Sequence, residues 1–253
     1  MRIVSLNVNG LRSAARRGLA EVLEEVSADV VCLQEVRASP EQAAGLVGNA
    51  YHESWNPAAR AGYSGVGTLT RSRPRRVEAG SGRSEFDVEG RVLVSDVGGL
   101  LLLNVYVPSG TMGQARQAVK MSFLDHFLPF VSGLVAAGRP LVLCGDMNIA
   151  HRQIDLKNWR ANQRTSGFLP EEREWFSRLL GAGLVDVVRR LAGEETEVYT
   201  WWTLRAGARE RNVGWRLDYQ LATPDVAERA TAFEVRRSPM LSDHAPVIVD
   251  YDL

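Results

Sequence analysis

The sequence predicts an α/β fold in which two β-sheets pack face to face and helices cover their outer faces. Short apolar runs typical of β-strands occur in both halves of the chain, separated by turns rich in glycine, proline and serine. Amphipathic helices are too few to cover both faces of two separate sheets. Because there is no repeat, low-complexity segment or linker, residues 1–253 are expected to form a single domain.

The first half of the chain is predicted to contain six strands and one helix. Residues 3–8 form the first strand, and the β-branched run 29–33 forms the second. Between them, apolar residues recur at helical spacing and predict a helix from residue 14 to about residue 27. The recurring residues are Ala15, Leu19, Val22, Leu23 and Val26. Further strands are predicted at 51–55, 66–70, 91–96 and 100–106.

The second half is predicted to contain two longer helices and five strands. The first helix covers residues 113–137, and Pro129 is expected to kink it or to end its first part. The second helix begins at Pro170, where two following glutamates suit the positive end of the helix dipole, and it ends at Gly181 or Gly183. The strands are predicted at 141–144, 198–202, 216–222, 231–235 and 247–251.

Composition excludes several classes of protein. The 30 basic and 30 acidic residues balance, so a strongly basic protein that coats DNA is not expected, and nucleic-acid contacts would need local basic patches. Cys32 and Cys144 lie inside apolar runs and are predicted to be buried, reduced thiols. No apolar stretch approaches about 18 residues, and a strand follows Met1 directly. Neither a membrane helix nor a signal peptide is therefore expected, and the cytoplasm is the default location.

Short polar clusters occur at six places where a predicted strand ends or is about to begin. Loops at strand ends commonly carry catalytic groups. Taken singly, each cluster is equally well explained as a turn or an exposed strand end. The clusters are NVNG from Asn7, LQE ending at Glu35, VYVP from Val105, CGDMN around Asp146, RLDY around Asp218 and SDHAP from Ser242.

Taken together, these clusters predict a metal site. Glu35, Asp146, Asp218 and Asp243 have no lysine nearby in sequence, and four carboxylates in one site would repel one another without a cation. Hard oxygen ligands favour Mg²⁺, with Mn²⁺ as an alternative. His244 adds a group that can titrate near neutral pH. No Ser-His-Asp, Cys-His or phosphate-binding glycine pattern is present, so we expect metal-assisted attack of water on a phosphate ester.

These clusters, in this order, resemble the exonuclease III/apurinic-apyrimidinic endonuclease family of the deoxyribonuclease I-like (endonuclease/exonuclease/phosphatase) superfamily. The resemblance implies a four-layer α/β sandwich of two packed mixed sheets, with the active site at one edge. It implies a monomeric, Mg²⁺-dependent DNA repair nuclease that cuts 5′ to abasic sites, with 3′–5′ exonuclease and 3′-phosphodiesterase activity at blocked 3′ ends. The matching segments are SLNVNGLR, LQE, GYSGVG, NVYVP, LVLCGDMNIAH, GFLPEEREW, NVGWRLDYQL and SDHAPV.

The resemblance also implies the metal ligands. Asn7 and Glu35 match the family's primary metal site, and Asp243 lies close to it. The number of metal ions that act stays open at this stage. The full set implied to hold or surround the metal is Asn7, Glu35, Asp146, Asn148, Asp243 and His244.

Five catalytic roles are implied in the same way. Asp146 matches the group that orients or deprotonates the attacking water, and Asn148 matches a residue that positions water and phosphate. His244 matches a contact to the scissile phosphate, and Asp218 matches the carboxylate that orients its ring. Tyr106 matches a phosphate ligand that also helps the leaving group. Whether Asp146 or His244 is the base stays open.

An apolar pocket for a flipped, base-free sugar is implied at Trp201, Trp215 and Leu217, although tryptophans in strands are usually sheet core. Trp201 is larger than the phenylalanine often found there. Asn9 stands where some members have Asp and others have Asn. Ser109 stands where many have Asn and is followed by a short loop, so the way the phosphate is held there and the balance of endonuclease and exonuclease activity stay open. Candidates for phosphate-backbone contacts are Lys120, Arg152, Arg209 and Arg211, although each isolated charge is better explained as solvated surface.

Two other functions are weighed against the nuclease. A phosphatase acting on a small molecule or lipid head group would use the same metal chemistry. Related sphingomyelinase-like enzymes carry a second catalytic histidine where this chain has Tyr106, so Tyr106 and the aromatic pocket argue against that function. A non-catalytic DNA-binding module is disfavoured by the complete set of acids.

Overall fold

The computed structural model describes all 253 residues. The strands are β1 (Arg2–Asn7), β2 (Val30–Gln34), β3 (His52–Asn56), β4 (Val66–Thr70), β5 (Arg76–Ala79), β6 (Val92–Val97), β7 (Leu100–Tyr106), β8 (Leu141–Asp146), β9 (Val185–Asp186), β10 (Asp218–Ala222), β11 (Ala230–Val235) and β12 (Val247–Tyr251). The helices are α1 (Leu11–Ala15), α2 (Leu19–Val26), α3 (Pro40–Ala43), α4 (Ser84–Asp87), α5 (Gln114–Ala136), α6 (Pro170–Gly181), α7 (Val187–Ala192) and α8 (Pro224–Ala227).

The strands form two six-stranded sheets. Sheet A has the order β11-β12-β1-β2-β4-β3, and sheet B has the order β5-β6-β7-β8-β10-β9. Each sheet contains one parallel pair, β1 with β2 and β7 with β8. Parallel neighbours bring their carboxyl ends to the same edge of a sheet. The two sheets therefore each present a pair of strand ends from which polar loops begin.

Three apolar cores hold the layers together. Ile3, Leu102 and Val249 lie in the core that the two sheets share. Helices α5 and α6 cover the outer face of sheet B, and α1 to α3 cover sheet A. The predicted α/β sandwich with outer helices is confirmed. Cys32 and Cys144 belong to the shared core as free, buried thiols, as predicted.

Two predicted elements are wrong. The single helix at 14–27 is two helices, because Gly18 adopts the left-handed conformation (φ 91°) that favours glycine and separates α1 from α2. Residues 198–202 form no strand. Trp201 instead makes isolated bridges to Trp215 and His244. The sequence also missed β5, whose four residues are all exposed and so show no apolar pattern.

Helix α5 continues through Pro129, which lies on its exposed side. Of the two effects predicted for this proline, an end to the first part of the helix is wrong. By length and composition alone α5 is also apolar enough to cross a membrane, whereas the sequence predicts no membrane helix. Here Phe123, Phe127 and Val131 are buried against sheet B. A helix packed on the core of a sandwich meets the same length and composition criteria.

Candidate active site

Residues from both sheets converge at one edge of the sandwich. Asn7 and Tyr106 end β1 and β7, and Asp146 ends β8. Strand β10 runs antiparallel to β8, so its first residue, Asp218, pairs in register with Asp146. Glu35 follows β2 and His244 precedes β12, which pairs with β1. The topology thus explains how clusters far apart in sequence meet in one cleft.

The centre of the cleft is a buried amide between two carboxylates. The Asn7 side-chain amide donates from Nδ2 to Glu35 Oε2 at 3.1 Å and to Asp146 Oδ2 at 2.9 Å. Glu35 has a positive φ of 55° and also accepts a hydrogen bond from Arg37. A non-glycine residue in this conformation is uncommon and concentrates at functional sites. Asn7 therefore joins acidic groups from the two sheets.

A histidine–carboxylate pair lies beside this centre. His244 Nδ1 lies 2.8 Å from Asp218 Oδ2, which also accepts from the Thr200 hydroxyl at 2.6 Å. The other ring nitrogen, Nε2, is 3.8 Å from Asp146 Oδ2. Burial disfavours charge on His244, but Asp218 and Asp146 outweigh it and raise its pKa to about 10. The ring is thus held as a cation facing Asp146.

Asp146 lies where these groups meet, and its side chain is almost fully buried. Burial raises the pKa of Asp146 to about 7; Asp218 adds to this shift, while His244 opposes it. Asn148 donates from its backbone N–H to Asp146 Oδ1 at 2.8 Å and from Nδ2 to the Val107 carbonyl at 2.9 Å. A carboxyl with a pKa near neutrality is suited to accept a proton from water.

Tyr106 faces the same cleft with its phenol protonated. Burial raises the pKa of Tyr106 well above its usual value, and the charges of Glu35 and Asp146 add to this shift. The Arg91 guanidinium lies 4.8 Å from the centre of its ring and donates to its backbone carbonyl at 3.0 Å. Tyr106 is therefore available as a neutral hydrogen-bond donor.

Asp243 is fully hydrogen-bonded at the rim. Its Oδ1 accepts from Asn9 Nδ2 at 2.9 Å and from the Ser242 hydroxyl at 3.0 Å, and its Oδ2 accepts from Trp201 Nε1 at 3.0 Å. Burial alone would raise the pKa of Asp243, but His244 and these donors lower it below its usual value. The indole of Trp201 thus links the apolar wall of the cleft to an acidic residue.

The donor set fits a hard divalent cation. Glu35 and Asp146 offer carboxylate oxygens on either side of the Asn7 amide, whose Nδ2 donates to both and whose Oδ1 accepts from the Asn9 N–H at 2.9 Å. One ligand atom each from Asp146, Asp218 and His244 also lies within 4.8 Å of the other two, and Asp218 Oδ1 is buried without a hydrogen-bond partner. Because His244 and Asp218 already bond each other, the Asn7–Glu35–Asp146 group is the better oxygen site.

The predicted aromatic residues form the other wall. Trp201, Trp215 and Leu217 line a cleft of about 310 Å³ together with the acidic residues, and they pack with Phe168. They lie at the cleft and not in the core between the sheets. The structure adds wall residues to which the sequence assigned no role, namely Arg37, Thr111, Thr165, Ser166 and Gly167.

The four predicted phosphate contacts are not gathered at the cleft. Lys120 is fully buried and ion-paired with Glu172, so it cannot reach a DNA backbone in this structure. Arg152 lies in a separate depression, where it pairs with Glu194. Arg209 donates to the carbonyls of Ser242 and Arg237 and stacks on Trp202, which ties two loops together.

Arg211 is exposed and forms no ion pair, so it alone keeps the character expected of a surface contact. A different basic surface adjoins the cleft. Exposed Arg12 and Arg16 line a groove that shares Asn9 and Arg37 with the active-site cleft. The signal for this groove was present in the sequence as the arginines that follow NVNG, but only the fold places them beside the acids.

Comparisons with known proteins identify relatives of this chain. Residues 4–244 match the model of the endonuclease/exonuclease/phosphatase family. The chain is 39% identical over 248 residues to an exodeoxyribonuclease of Bacillus subtilis, covering 98% of each chain. It is 38% identical over 252 residues to the DNA repair nuclease APEX1 of Danio rerio, covering 98% of this chain and 81% of that protein. The solved structure of an AP endonuclease from Archaeoglobus fulgidus superposes with a TM-score of 0.91 at 29% identity, covering 100% of both chains.

Proposed function

Because the chain belongs to the endonuclease/exonuclease/phosphatase family, we propose that it hydrolyses the DNA phosphodiester 5′ to an abasic site with the help of a divalent metal ion. It is a DNA repair nuclease of the AP endonuclease/exonuclease III type. We further propose that the same site removes nucleotides and blocking groups from 3′ ends. The observation that carries the proposal is the single cleft in which Asp146 and His244 face the aromatic wall of Trp201, Trp215 and Leu217.

Two side chains would handle the attacking water and the phosphate. Asp146, whose pKa is raised to about 7 by burial, would orient the water and accept its proton. The cationic His244, held by Asp218 at 2.8 Å, would donate a hydrogen bond to a phosphate oxygen. Asn148 would position both, since its backbone N–H and its Nδ2 are fixed by internal hydrogen bonds. No covalent intermediate on the protein is needed.

Asn7, Glu35 and Asp146 would hold the metal ion, with Asn148, Asp243 and His244 around it. We propose Mg²⁺, with Mn²⁺ as an alternative, because the ligands are hard oxygen atoms. When bound, the ion supplies positive charge that stabilises the phosphate oxygens in the transition state. Tyr106, kept protonated by burial and by neighbouring acids, would donate a hydrogen bond to the phosphate or to the leaving 3′ oxygen.

Substrate selection would depend on the apolar wall and on the basic groove. A base-free sugar can enter the space beside Trp201, Trp215 and Leu217, and its extrusion is cheap because no base has to be unstacked. Arg12, Arg16 and Arg37 would contact the phosphate backbone next to the cleft. A chain with zero net charge depends on such a local patch, so we expect DNA affinity to fall steeply with salt.

The decisive experiment is cleavage of an end-labelled duplex with one abasic analogue, in Mg²⁺ and in EDTA, beside an intact duplex. We expect one incision 5′ to the lesion that EDTA abolishes and added Mg²⁺ restores. A ladder of shortened 3′ ends on both duplexes would make the protein chiefly an exonuclease. No cleavage of either duplex in Mg²⁺ or Mn²⁺ would contradict the proposal and direct attention to small phosphate esters.

A further inference from the structure

Lys120 is an exception in composition and in location. It is one of only two lysines among 30 basic residues, and it is 0% exposed in the N-terminal third of α5. Its ammonium group donates to Glu172 Oε1 at 2.6 Å and to the backbone carbonyl of Asn148 at 2.8 Å. A lysine ammonium is a compact point donor, whereas the guanidinium used elsewhere in this chain is larger and planar. The exception indicates a specific requirement at this position.

Glu172, in the first turn of α6, is also 0% exposed. Its Oε1 accepts from Lys120 and from Gln117 Nε2 at 3.0 Å. Its Oε2 accepts from the backbone N–H groups of Gly167 at 2.7 Å and Leu169 at 3.0 Å. Both carboxylate oxygens are therefore occupied, and the segment 167–169 is fastened to the start of α6.

The groups held by this ion pair are parts of the cleft. Asn148 and Gly167 line it, whereas Lys120 and Glu172 do not. A Cβ atom at Gly167 would lie 3.2 Å from the Asn148 carbonyl and 3.4 Å from the Trp215 ring, so these three groups are in close contact. The ion pair thus lies directly behind the part of the cleft where Asn148 adjoins the aromatic wall.

We propose that Lys120 and Glu172 are positioning residues of the nuclease: their buried ion pair fixes the Asn148 backbone and the Gly167 segment, and so sets the distance between Asp146 and the wall of Trp215. The inference rests on the proposed function, because its main consequence is a change in DNA cleavage. Lys120, which the sequence suggested as a DNA contact, acts here from behind the site.

A positioning role can be separated from a structural one. A buried ion pair is often no more stabilising than a neutral pair of similar size, whereas removal of one partner leaves an unpaired buried charge. Replacement of both charges together is therefore compatible with a folded protein. It still removes the donor to the Asn148 carbonyl, and an effect on the cleft then appears without unfolding.

The experiment compares the double variant Lys120→Met/Glu172→Gln with wild type on the abasic duplex, in steady state and with thermal melts. We expect a melting temperature near that of wild type, a kcat lowered by about 10- to 100-fold and an almost unchanged KM. Lys157→Met is the matched control, because Lys157 is the other lysine and forms an exposed ion pair with Glu197. It should behave as wild type.

A second variant and a second readout keep the test decisive. Lys120→Arg retains the ion pair, so it should fold even where the double variant does not, and its larger head group should still lower kcat. Amide hydrogen exchange of 147–150 and 165–169 needs no substrate and should be faster in both variants. Wild-type kcat and wild-type exchange would overturn the inference. A wild-type protein that does not cleave abasic DNA would instead overturn the proposed function.

Discussion

Two buried clusters of charged side chains lie next to each other in this protein and differ in their balance of charge. In the first, the balanced cluster, Arg216 donates to Asp155 at 2.9 Å and to Asp186 at 2.7 Å, and Arg189 donates to Asp155 at 2.7 Å. Two guanidinium groups thus form ion pairs with two carboxylates. Burial alone would raise the pKa of Asp155, but Arg216 outweighs it and the pKa lies below its usual value.

The second, the acidic cluster, consists of the carboxylates that line the cleft or lie directly behind it. Four carboxylates face only two cationic side chains there, His244 and Arg37. Asp146 and Asp155 are both almost fully buried, yet the pKa of Asp146 is raised to about 7. The difference teaches that burial by itself does not mark a site. A cluster with more carboxylates than cationic side chains can accept a metal ion. A cluster with equal numbers of carboxylates and cations is already neutralised by its own ion pairs. The four carboxylates are Glu35, Asp146, Asp218 and Asp243.

The balanced cluster is connected to the acidic cluster through the backbone around Arg216. Arg216 lies between Trp215 and Leu217, which line the cleft, and two residues before Asp218. Its backbone N–H also donates to the Asp155 carbonyl at 2.7 Å. We therefore expect changes in the acidic cluster to affect chemistry first and changes in the balanced cluster to affect stability first.

The largest expected effect follows from Asp146→Asn. The variant loses the group proposed to accept the proton of water, so kcat on abasic DNA should fall by about 10²- to 10⁴-fold. Because the asparagine removes one negative charge from a site with a surplus, the melting temperature without metal should be equal to or higher than that of wild type. Steady-state cleavage and thermal melts in EDTA measure the two quantities.

His244→Ala is the companion variant, since it removes the proposed phosphate contact and should also lower the rate by orders of magnitude. Either variant with full metal-dependent cleavage would show that the assigned residue has no part in the chemistry. A large loss of stability in Asp146→Asn would show that the two clusters are alike, contrary to the comparison.

The next effect is on stability. Asp155→Asn leaves Arg216 and Arg189 with one fewer carboxylate in a buried site, and we expect a loss of roughly 3–5 kcal/mol in the free energy of unfolding. Urea denaturation at constant pH would measure it. Asp250→Asn is a suitable control, because Asp250 pairs with Arg2 at a partly exposed position and should cost far less. Equal losses of unfolding free energy in the two variants would contradict the expectation that the buried ion pairs of the balanced cluster matter more for stability than a partly exposed pair.

The sequence predicted much of the acidic cluster and almost none of the balanced one. Asn7, Glu35 and Asp146 follow apolar strands within specific motifs, so their meeting could be inferred from strand ends and family resemblance. Asp155, Asp186 and Arg189 lie in a short turn, a two-residue strand and a six-residue helix. Elements this short have no periodic pattern, so only the folded chain shows that their charges meet.

The errors have a related cause. As an isolated charge in the sequence, Lys120 is predicted to contact phosphate or solvent, but helix α5 turns it inward to a carboxylate that is 52 residues away. Residues 198–202 have a strand-like composition, yet Trp201 turns its indole to Asp243 at 3.0 Å. Both errors arise where a tertiary hydrogen bond overrides a local preference, and both occur beside the cleft.

The smallest expected effect is on how stability depends on pH in the absence of metal. Asp146 has an ordinary pKa of 3.8 when unfolded and about 7 when folded, so the folded state binds its proton more tightly. Its contribution to stability is present below pH 4 and is lost as pH rises to about 7. His244 behaves likewise between 6.5 and about 10, since its folded pKa is also raised. Asp155 in the balanced cluster acts in the opposite sense, because its folded pKa lies below the usual value. Its contribution to stability is present at neutral pH and is lost only as pH falls into the acid range.

Thermal melts in EDTA should therefore show a melting temperature that falls by several degrees between pH 5 and pH 9. In Asp146→Asn the part of this fall below pH 7 should disappear, and the part above pH 7 should remain. In Asp155→Asn the melting temperature should fall with pH as it does in wild type, but it should be lower at every pH. Mg²⁺ should offset the fall in wild type above pH 7, because a bound cation stabilises the ionised carboxylates that the metal-free protein has to hold without one. A melting temperature that instead rises with pH in EDTA would mean that the surplus of charge in the cleft is already neutralised by the protein alone.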